Sequence, residues 1–170
     1  MPIPIRPATA ADSHALAVIQ IAGWEAAYQH IVPPELFAAR TVEVREAEFH
    51  SLFEQADADF RVWVSERDGE VIGFAHTRRG FDRDIENPGE LKLFYVQPAL
   101  RYSGIGRPLF EHAVGDLEAR GLQPYLYTFP ANAAARAWYE KRGWQTDGVT
   151  APWSDRGEYP ELTEIRYRPV

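Results

Sequence analysis

Apolar and polar residues alternate with two different periods along the 170-residue chain. Spacings of three and four residues are typical of helices, and strict alternation is typical of half-buried strands. In chain order the predicted elements are an edge strand at Ile3–Arg6, a helix capped at Thr9 that runs to about Tyr28, a helix at Val42–Phe53, strands at Arg61–Glu66, Val71–Arg78 and Glu90–Val96, a helix at Arg107–Arg120, a strand at Pro124–Phe129, a helix from Asn132 to Gly143, and strands at Trp144–Val149 and Leu162–Arg168.

Two connections between these elements carry topological information. Asp68-Gly69 lies between two alternating runs, and this dipeptide is a strong signal for a tight antiparallel hairpin. The strand Pro124–Phe129 follows a helix that itself follows Glu90–Val96. A strand–helix–strand unit is expected to close with a right-handed crossover, so these two strands are predicted to lie parallel.

The stretch from Val96 to Gly106 has the layout of an anion site. A strand leads into a short turn with Gly104 and Gly106, and a helix follows at once. The first N–H groups of a helix lack internal partners and attract negative charge. Pro108 is tolerated only in the first turn of a helix, which places the helix start at about residues 104–107.

Two common phosphate-binding motifs do not fit this stretch. No Lys-Ser or Lys-Thr pair follows the glycines, as a P-loop requires, and residues 110–113 supply no third glycine for a dinucleotide fingerprint. Gly-x-Gly alone is equally consistent with a simple strand-to-helix turn.

The full pattern Val-x-Pro-x-x-Arg-x-x-Gly-Ile-Gly, preceded by Glu90, resembles the acetyl-CoA-binding motif of the Gcn5-related N-acetyltransferases. The resemblance implies that the loop amides hold the pyrophosphate of CoA. Tyr102 departs from the family pattern, which usually has Gly or Arg there, and its bulk is expected to affect the loop. The cofactor-binding residues implied by the resemblance are Phe94, Tyr95, Val96, Arg101, Tyr102, Ser103, Gly104, Ile105, Gly106, Arg107, Asn132 and Tyr139.

A second stretch, from Asn132 to Trp144, resembles the Asn-x-x-Ala-x-x-Phe-Tyr-x-x-x-Gly-Phe motif of the same family. Asn132, either Ala135 or Arg136, and Tyr139 share one helical face and are able to line a groove. Each residue also has a plain structural interpretation, because Asn is a favoured N-cap and Tyr is a common half-buried core residue. The resemblance assigns Tyr139 as the general acid that protonates the departing sulfur.

The resemblance covers nearly the whole chain and implies a mixed α+β fold. We expect a single domain over residues 1–170 with a central, mostly antiparallel sheet, one splayed parallel strand pair, and helices on both faces. Splayed strands leave backbone groups unpaired, and the amides of a pantetheine arm are able to pair with them. Phe94 and Val96 share one phase of their strand and are the first candidates for this pairing.

Further catalytic roles also follow from the resemblance. The N–H of Phe94 corresponds to the donor that stabilises the oxyanion. Glu90 corresponds to the general base, although a structural carboxylate at the start of a strand is an equal alternative. Lys92 is expected on the same face as Glu90.

The acceptor site is less well defined by the sequence. Trp24 and Tyr28 on the first helix, and His76 on a strand, are weak candidates for substrate binding, with core packing as the alternative. Asp82, Asp84 and Glu86 form an acidic group that suits a polyamine or lysine, but a solvated loop is the simpler interpretation.

Composition narrows the function further. The chain has no cysteine, so disulfides and a cysteine acyl-enzyme are excluded. Its net charge of −7 disfavours nucleic acid, and it contains neither an apolar run long enough to span a membrane nor a signal-peptide core. Together with these limits, the resemblance implies a cytoplasmic N-acyltransferase, a possible homodimer, that moves an acetyl group from acetyl-CoA to an amine of a small molecule or peptide by direct attack, without metal. The alternative is a noncatalytic acyl-CoA-binding sensor on the same fold.

Overall fold

One sheet of seven strands forms the centre of the molecule in the order β1-β2-β3-β4-β5-β7-β6. The computed structural model describes residues 3–55, 57–153, 159 and 161–170. The strands are β1 Ile5–Pro7, β2 Arg61–Arg67, β3 Glu70–Arg79, β4 Pro88–Val96, β5 Gln123–Thr128, β6 Trp144–Pro152 and β7 Thr163–Pro169. The predicted strands are all present, and part of the predicted loop between the last two lies outside the described residues.

Five α-helices in the described ranges flank the sheet. They are α1 Ser13–Tyr28, α2 Pro34–Ala39, α3 Val42–Glu54, α4 Gly106–Ala119 and α5 Ala133–Glu140. The helix α2 was not predicted, because two consecutive prolines, Pro33 and Pro34, are typical of a break between helices. Pro34 instead occupies the first position of a helix, where a missing N–H costs nothing.

Helices cover both faces of the sheet, as expected. Leu16 of α1 and Phe49 of α3 pack against β2 and β3 on one face. Leu109 of α4 and Tyr139 of α5 pack against the other face. A smaller cluster around Trp24 joins α1 to α2 and to the end of β5. No helix in the described ranges is long and apolar enough to cross a membrane.

Strands β4 and β5 are parallel but remain paired over only one end. The pairs are Pro88 with Gln123, Gly89 with Pro124, and Glu90 with Tyr125. From Leu126 onwards β5 pairs with β7 instead, while β4 stays paired with β3 up to Val96. The two strands therefore diverge beyond Glu90, which confirms the predicted splay and opens a gap in the sheet.

A β-bulge at Lys92 changes the phase of β4. Leu91 is opposite Thr77 and Leu93 is opposite His76, so Lys92 is the extra residue. As a result Leu91 and Phe94 both pack on the α4 side of the sheet, although they are three residues apart. Regular alternation would place them on opposite faces.

Candidate active site

The gap between β4 and β5 opens into a groove of about 1300 Å³. Its walls come from β4, from α1 on one side, and from the starts of α4 and α5 on the other. The groove runs along the outer part of β4, from Glu90 at the paired end to the glycine loop that follows Val96. Ligand sites of this size are usually clefts with a few polar groups placed among apolar walls.

The glycine loop borders one end of the groove. Gly104 has φ +86°, a conformation that favours glycine, and no atom lies within 4 Å of the position of an added Cβ. Helix α4 begins at Gly106, so its first N–H groups face this end. A Cβ on Gly106 would lie 3.5 Å from Phe94 and 3.6 Å from Trp138, so the helix start packs directly on these two rings.

Not every predicted loop residue lines the groove. Arg101, Tyr102 and Arg107 do. Ile105 is buried, with 1% of its surface exposed, and the Ser103 hydroxyl donates to the carbonyl of Leu100 at 2.5 Å.

Tyr102 does not narrow the loop. Its backbone has φ +65° and its side chain is 93% exposed, so the phenol extends into solvent. A positive φ is costly for a bulky residue, so Tyr102 carries backbone strain that glycine would avoid.

Four cationic side chains gather at the loop end, namely Arg101, Arg107, Lys141 and Arg142. Sequence reasoning missed the last two. The guanidinium of Arg142 lies 3.4 Å from the centre of the Trp138 ring and also donates to the Trp138 carbonyl at 2.7 Å. Burial and the neighbouring charge of Arg107 lower the pKa of Arg142. Two cations held close together form a favourable site for an anion.

Tyr139 lies in the wall of the groove beneath this end. Its ring packs with Phe110, Trp138 and Tyr167 and is 9% exposed. Its hydroxyl makes no hydrogen bond to any residue that the structure describes. Burial raises the pKa of Tyr139 well above the ordinary value of a phenol, so the O–H remains a proton donor at neutral pH.

Asn132 begins the helix that carries Tyr139. Its side-chain oxygen accepts from the N–H of Ala135 at 3.2 Å, which confirms the N-cap interpretation. Asn132 also lines the groove, so the two interpretations of this residue are compatible.

Phe94 and Val96 both face α4, as their predicted shared phase requires, and Tyr95 faces α1. The Tyr95 hydroxyl accepts from Nε1 of Trp24 at 3.1 Å. A Cβ on Gly23 would lie 2.6 Å from the Tyr95 ring, so only glycine lets α1 approach β4 this closely. Burial raises the pKa of Tyr95 as well.

Glu90 lies at the opposite end of the groove in a cluster of charges. Its side chain is 6% exposed, and Oε2 accepts from Nε of Arg78 at 2.6 Å. Nζ of Lys92 lies 3.7 Å from Oε1, which confirms that Lys92 is beside Glu90. Arg78 also lines this end of the groove. It was not identified from the sequence, because its contact with Glu90 depends on strand register.

His76 lies beside this cluster on β3 and is 5% exposed. Neither ring nitrogen has a hydrogen-bond partner among the described residues. Its ring packs edge-on against Phe60, with centroids 4.5 Å apart. Burial, with the charges of Arg78 and Lys92 in support, lowers the pKa of His76 to about 3. The imidazole is therefore neutral at physiological pH.

Aromatic rings form the α1 side of the groove. Trp24 packs against Tyr28 at 5.6 Å and against Trp153 at 5.3 Å, and Tyr28 packs against Phe129 at 5.1 Å. The guanidinium of Arg40 lies 4.8 Å from both tryptophan rings. Trp24 and Tyr28 belong to a core cluster, as the packing alternative predicted, and they also line the groove. Their role in substrate binding stays a prediction.

The acidic loop does not face the groove as an amine-attracting surface. Asp82 and Asp84 both accept from Arg166 of β7, at 2.6 Å each, and Asp147 of β6 lies 2.7 Å from the same guanidinium. Arg166 is 1% exposed. Both earlier interpretations of Asp82 and Asp84 were therefore incomplete, because these carboxylates neutralise a buried arginine.

A mixed sheet with one splayed parallel pair and a glycine loop at the mouth of the splay is the architecture that the resemblance to the Gcn5-related N-acetyltransferases implies. The chain belongs to the acetyltransferase (GNAT) family, whose model matches residues 24–144.

Named relatives and solved structures agree with this assignment. The chain is 36% identical over 85 residues to a mycothiol acetyltransferase of Streptomyces avermitilis, a match that covers 49% of this chain and 27% of the relative. It is 26% identical over 156 residues to a Mycobacterium tuberculosis protein named a probable N-acetyltransferase, covering 89% and 84%. The PaiA N-acetyltransferase of Thermoplasma acidophilum, solved in complex with coenzyme A, has the same fold, with a TM-score of 0.77, 20% identity and full coverage of both chains. The chain thus spans only about a quarter of the mycothiol enzyme that it matches.

Proposed function

We propose that this protein transfers an acetyl group from acetyl-CoA to an amine by direct attack in a ternary complex. The observation that carries the proposal is the arrangement along one groove. A glycine loop with four cations lies at one end, a buried phenol with no hydrogen bond to a described residue lies in the wall, and a carboxylate lies at the other end. A single domain, a cytoplasmic location and a possible homodimer remain predictions.

The residues at the loop end fit a CoA molecule. The free N–H groups at the start of α4 suit a pyrophosphate, and Gly104 leaves open space where a side chain would otherwise stand. Arg101, Arg107 and Arg142 supply positive charge for the remaining phosphate. The unpaired edge of β4 beyond Glu90 offers backbone groups to the amides of the pantetheine arm.

Each step of the transfer then has a candidate group. Bound acetyl-CoA supplies the thioester carbonyl that the amine attacks. The backbone N–H of Phe94 donates to the carbonyl oxygen as negative charge develops there. Tyr139 gives its proton to the sulfur as the carbon–sulfur bond breaks, and it regains a proton from solvent. Oε1 of Glu90, which Arg78 leaves unoccupied, accepts the proton that the amine loses.

The test is release of free thiol from acetyl-CoA over a panel of amines, with the acetylated product identified by mass spectrometry. We expect thiol release that depends on the amine and product that carries one acetyl group. If CoA binds and no amine in a broad panel stimulates release, the noncatalytic sensor replaces this proposal. If CoA does not bind, both the enzyme and the sensor are excluded.

A further inference from the structure

The charge of the groove is opposite to the charge of the whole protein. The chain carries a net charge of −7. Among the described residues that line the groove, eight are Lys or Arg and three are Glu. The cations are Arg40, Arg45, Arg78, Lys92, Arg101, Arg107, Lys141 and Arg142, and the carboxylates are Glu48, Glu90 and Glu164. A positive groove in an acidic protein indicates that its ligands are anionic.

The cofactor accounts for only half of these cations. Arg101, Arg107, Lys141 and Arg142 surround the glycine loop, where the phosphates are proposed to bind. Lys92 lies near the paired end of β4, and the strand from Glu90 to Val96 spans about 20 Å at 3.3 Å per residue. The thioester end of acetyl-CoA carries no charge. Arg45 and Arg78 are ion-paired with Glu48 and Glu90, whereas Lys92 has only a 3.7 Å contact with Glu90. Lys92 is therefore the cation of this part of the groove with the most capacity left for a ligand anion.

The contacts of Lys92 support this conclusion. Its ammonium has no hydrogen bond to any described residue, because Glu90 at 3.7 Å is beyond hydrogen-bond distance. Arg45 contrasts with it, since Nε and Nη2 both donate to Gln20 and Nη1 contacts Glu48. The Lys92 side chain is 29% exposed, so its three N–H donors are open to a ligand in the groove.

Glu90 supplies the complementary charge at the same place. Its Oε2 is occupied by Arg78, whereas Oε1 has only the distant Lys92. A cation and a carboxylate oxygen thus lie side by side, each with unused bonding capacity. Neutral His76 adds no charge to the pair.

We infer that the acceptor is a free α-amino acid, whose carboxylate binds Lys92 and Arg78 while its amine faces Oε1 of Glu90. An α-amino acid carries its amine and its carboxylate on one carbon, which matches a cation and an anion 3.7 Å apart. The rings of Trp24, Tyr28 and Trp153 line the same groove and suit a large apolar or aromatic side chain. This inference rests on the proposed acetyl transfer.

Three probes of similar size test it on the wild-type protein. Phenylalanine carries a carboxylate on its α-carbon. Phenylalaninamide has an uncharged amide of similar size in that place, and phenethylamine has neither group. Calorimetry on the CoA-loaded protein should show phenylalanine binding at least about 10-fold more tightly than the other two, since hydrogen bonds to charged groups are worth roughly 1.5–3 kcal/mol. The same order is expected for kcat/KM. Equal or weaker binding of phenylalanine would overturn the inference, whether or not any probe is acetylated.

A matched pair of lysine variants locates the effect. Lys92→Met should reduce the preference for phenylalanine over phenylalaninamide by about 10-fold or more. Lys141→Met removes the same charge at the loop end and should leave that preference intact. If the two variants change the preference equally, Lys92 is not the carboxylate site. A further outcome is that the CoA-loaded protein binds phenylalanine selectively while the same protein, given acetyl-CoA and phenylalanine, releases no thiol. That combination would refute the acetyl transfer and leave the ligand assignment standing.

Discussion

Arg78 and Glu90 are paired across β3 and β4, and only one oxygen of the carboxylate takes part. Nε of Arg78 donates to Oε2 at 2.6 Å, and Oε1 remains turned towards Lys92. The ion pair holds Glu90 in one orientation inside the groove. Oε2 therefore fixes the side chain of Glu90, while Oε1 remains available to a ligand.

The first prediction concerns Glu90→Gln. Glutamine keeps a hydrogen-bond acceptor for Arg78 but accepts no proton at neutral pH, so kcat/KM should fall by about 10²- to 10³-fold. CoA affinity, measured by calorimetry, should stay near wild type. A kcat/KM within about twofold of the wild-type value would remove Glu90 from proton transfer.

The second prediction concerns Tyr139→Phe. The substitution keeps the ring among Phe110, Trp138 and Tyr167 and removes only the O–H. We expect kcat to fall by roughly 10- to 1000-fold, the usual range for a lost general acid, with little change in Tm or CoA affinity. Because burial raises the pKa of Tyr139, the wild-type enzyme should show no loss of activity from phenol ionisation below about pH 10.

Rapid-quench kinetics provide the control for Tyr139, since they show whether chemistry limits kcat. A kcat within about twofold of wild type under chemistry-limited conditions would mean that the ring only packs.

The third prediction compares two glycines. Gly104 has φ +86° and Gly69 has φ +82°, and both have open space around an added Cβ. Gly104→Val and Gly69→Val should therefore lose similar stability, roughly 1–3 kcal/mol from backbone strain. Only Gly104 borders the groove, so only Gly104→Val should weaken CoA binding, by more than about 10-fold in calorimetry. Equal CoA affinity in the two variants would mean that the loop is simply a turn.

The fourth prediction concerns the stability of the fold in acid. The pKa of His76 is about 3 in the folded protein and near 6.5 when unfolded, so the unfolded state binds the extra proton between these values. Stability should thus be lost as pH falls below about 6.5. Between pH 6.5 and 4.5 the loss from this residue is about 2–3 kcal/mol at 1.36 kcal/mol per pH unit.

His76→Leu isolates this effect from the titration of carboxylates. Urea unfolding of both proteins at pH 7 and pH 4.5 should show a smaller loss in the variant. An equal loss of stability in the two proteins would mean that residues other than His76 cause the acid sensitivity.

Local patterns predicted local structure well. The N–H of Thr9 donates to the carboxylate of Asp12 at 2.8 Å, Asp68 and Gly69 both adopt positive φ in their turn, and Asn132 caps α5. In each case the partners are within three residues of one another, so sequence spacing alone brings them together.

Contacts between distant residues were not predictable in the same way. The pairing of Arg78 with Glu90 depends on the register of two strands and on the bulge at Lys92, which alternation does not show. Arg166 and Asp82 are 84 residues apart, and nothing in the acidic loop indicates its partner. The aromatic wall also depends on Trp153, which reaches Trp24 only in the folded chain.

The short pairing of β4 with β5 has a mechanical consequence. Two halves of the sheet meet at three residue pairs, and the buried Arg166 of β7 ties the second half to the loop that precedes β4. We therefore expect any movement of one half relative to the other to pivot about these three pairs. Over the roughly 20 Å from Glu90 to Val96, a rotation of about 5° at the pivot moves the far end by roughly 2 Å. Arg166 does not itself line the groove. Through its ion pairs with Asp82 and Asp84 we nevertheless expect it to influence the width of the groove.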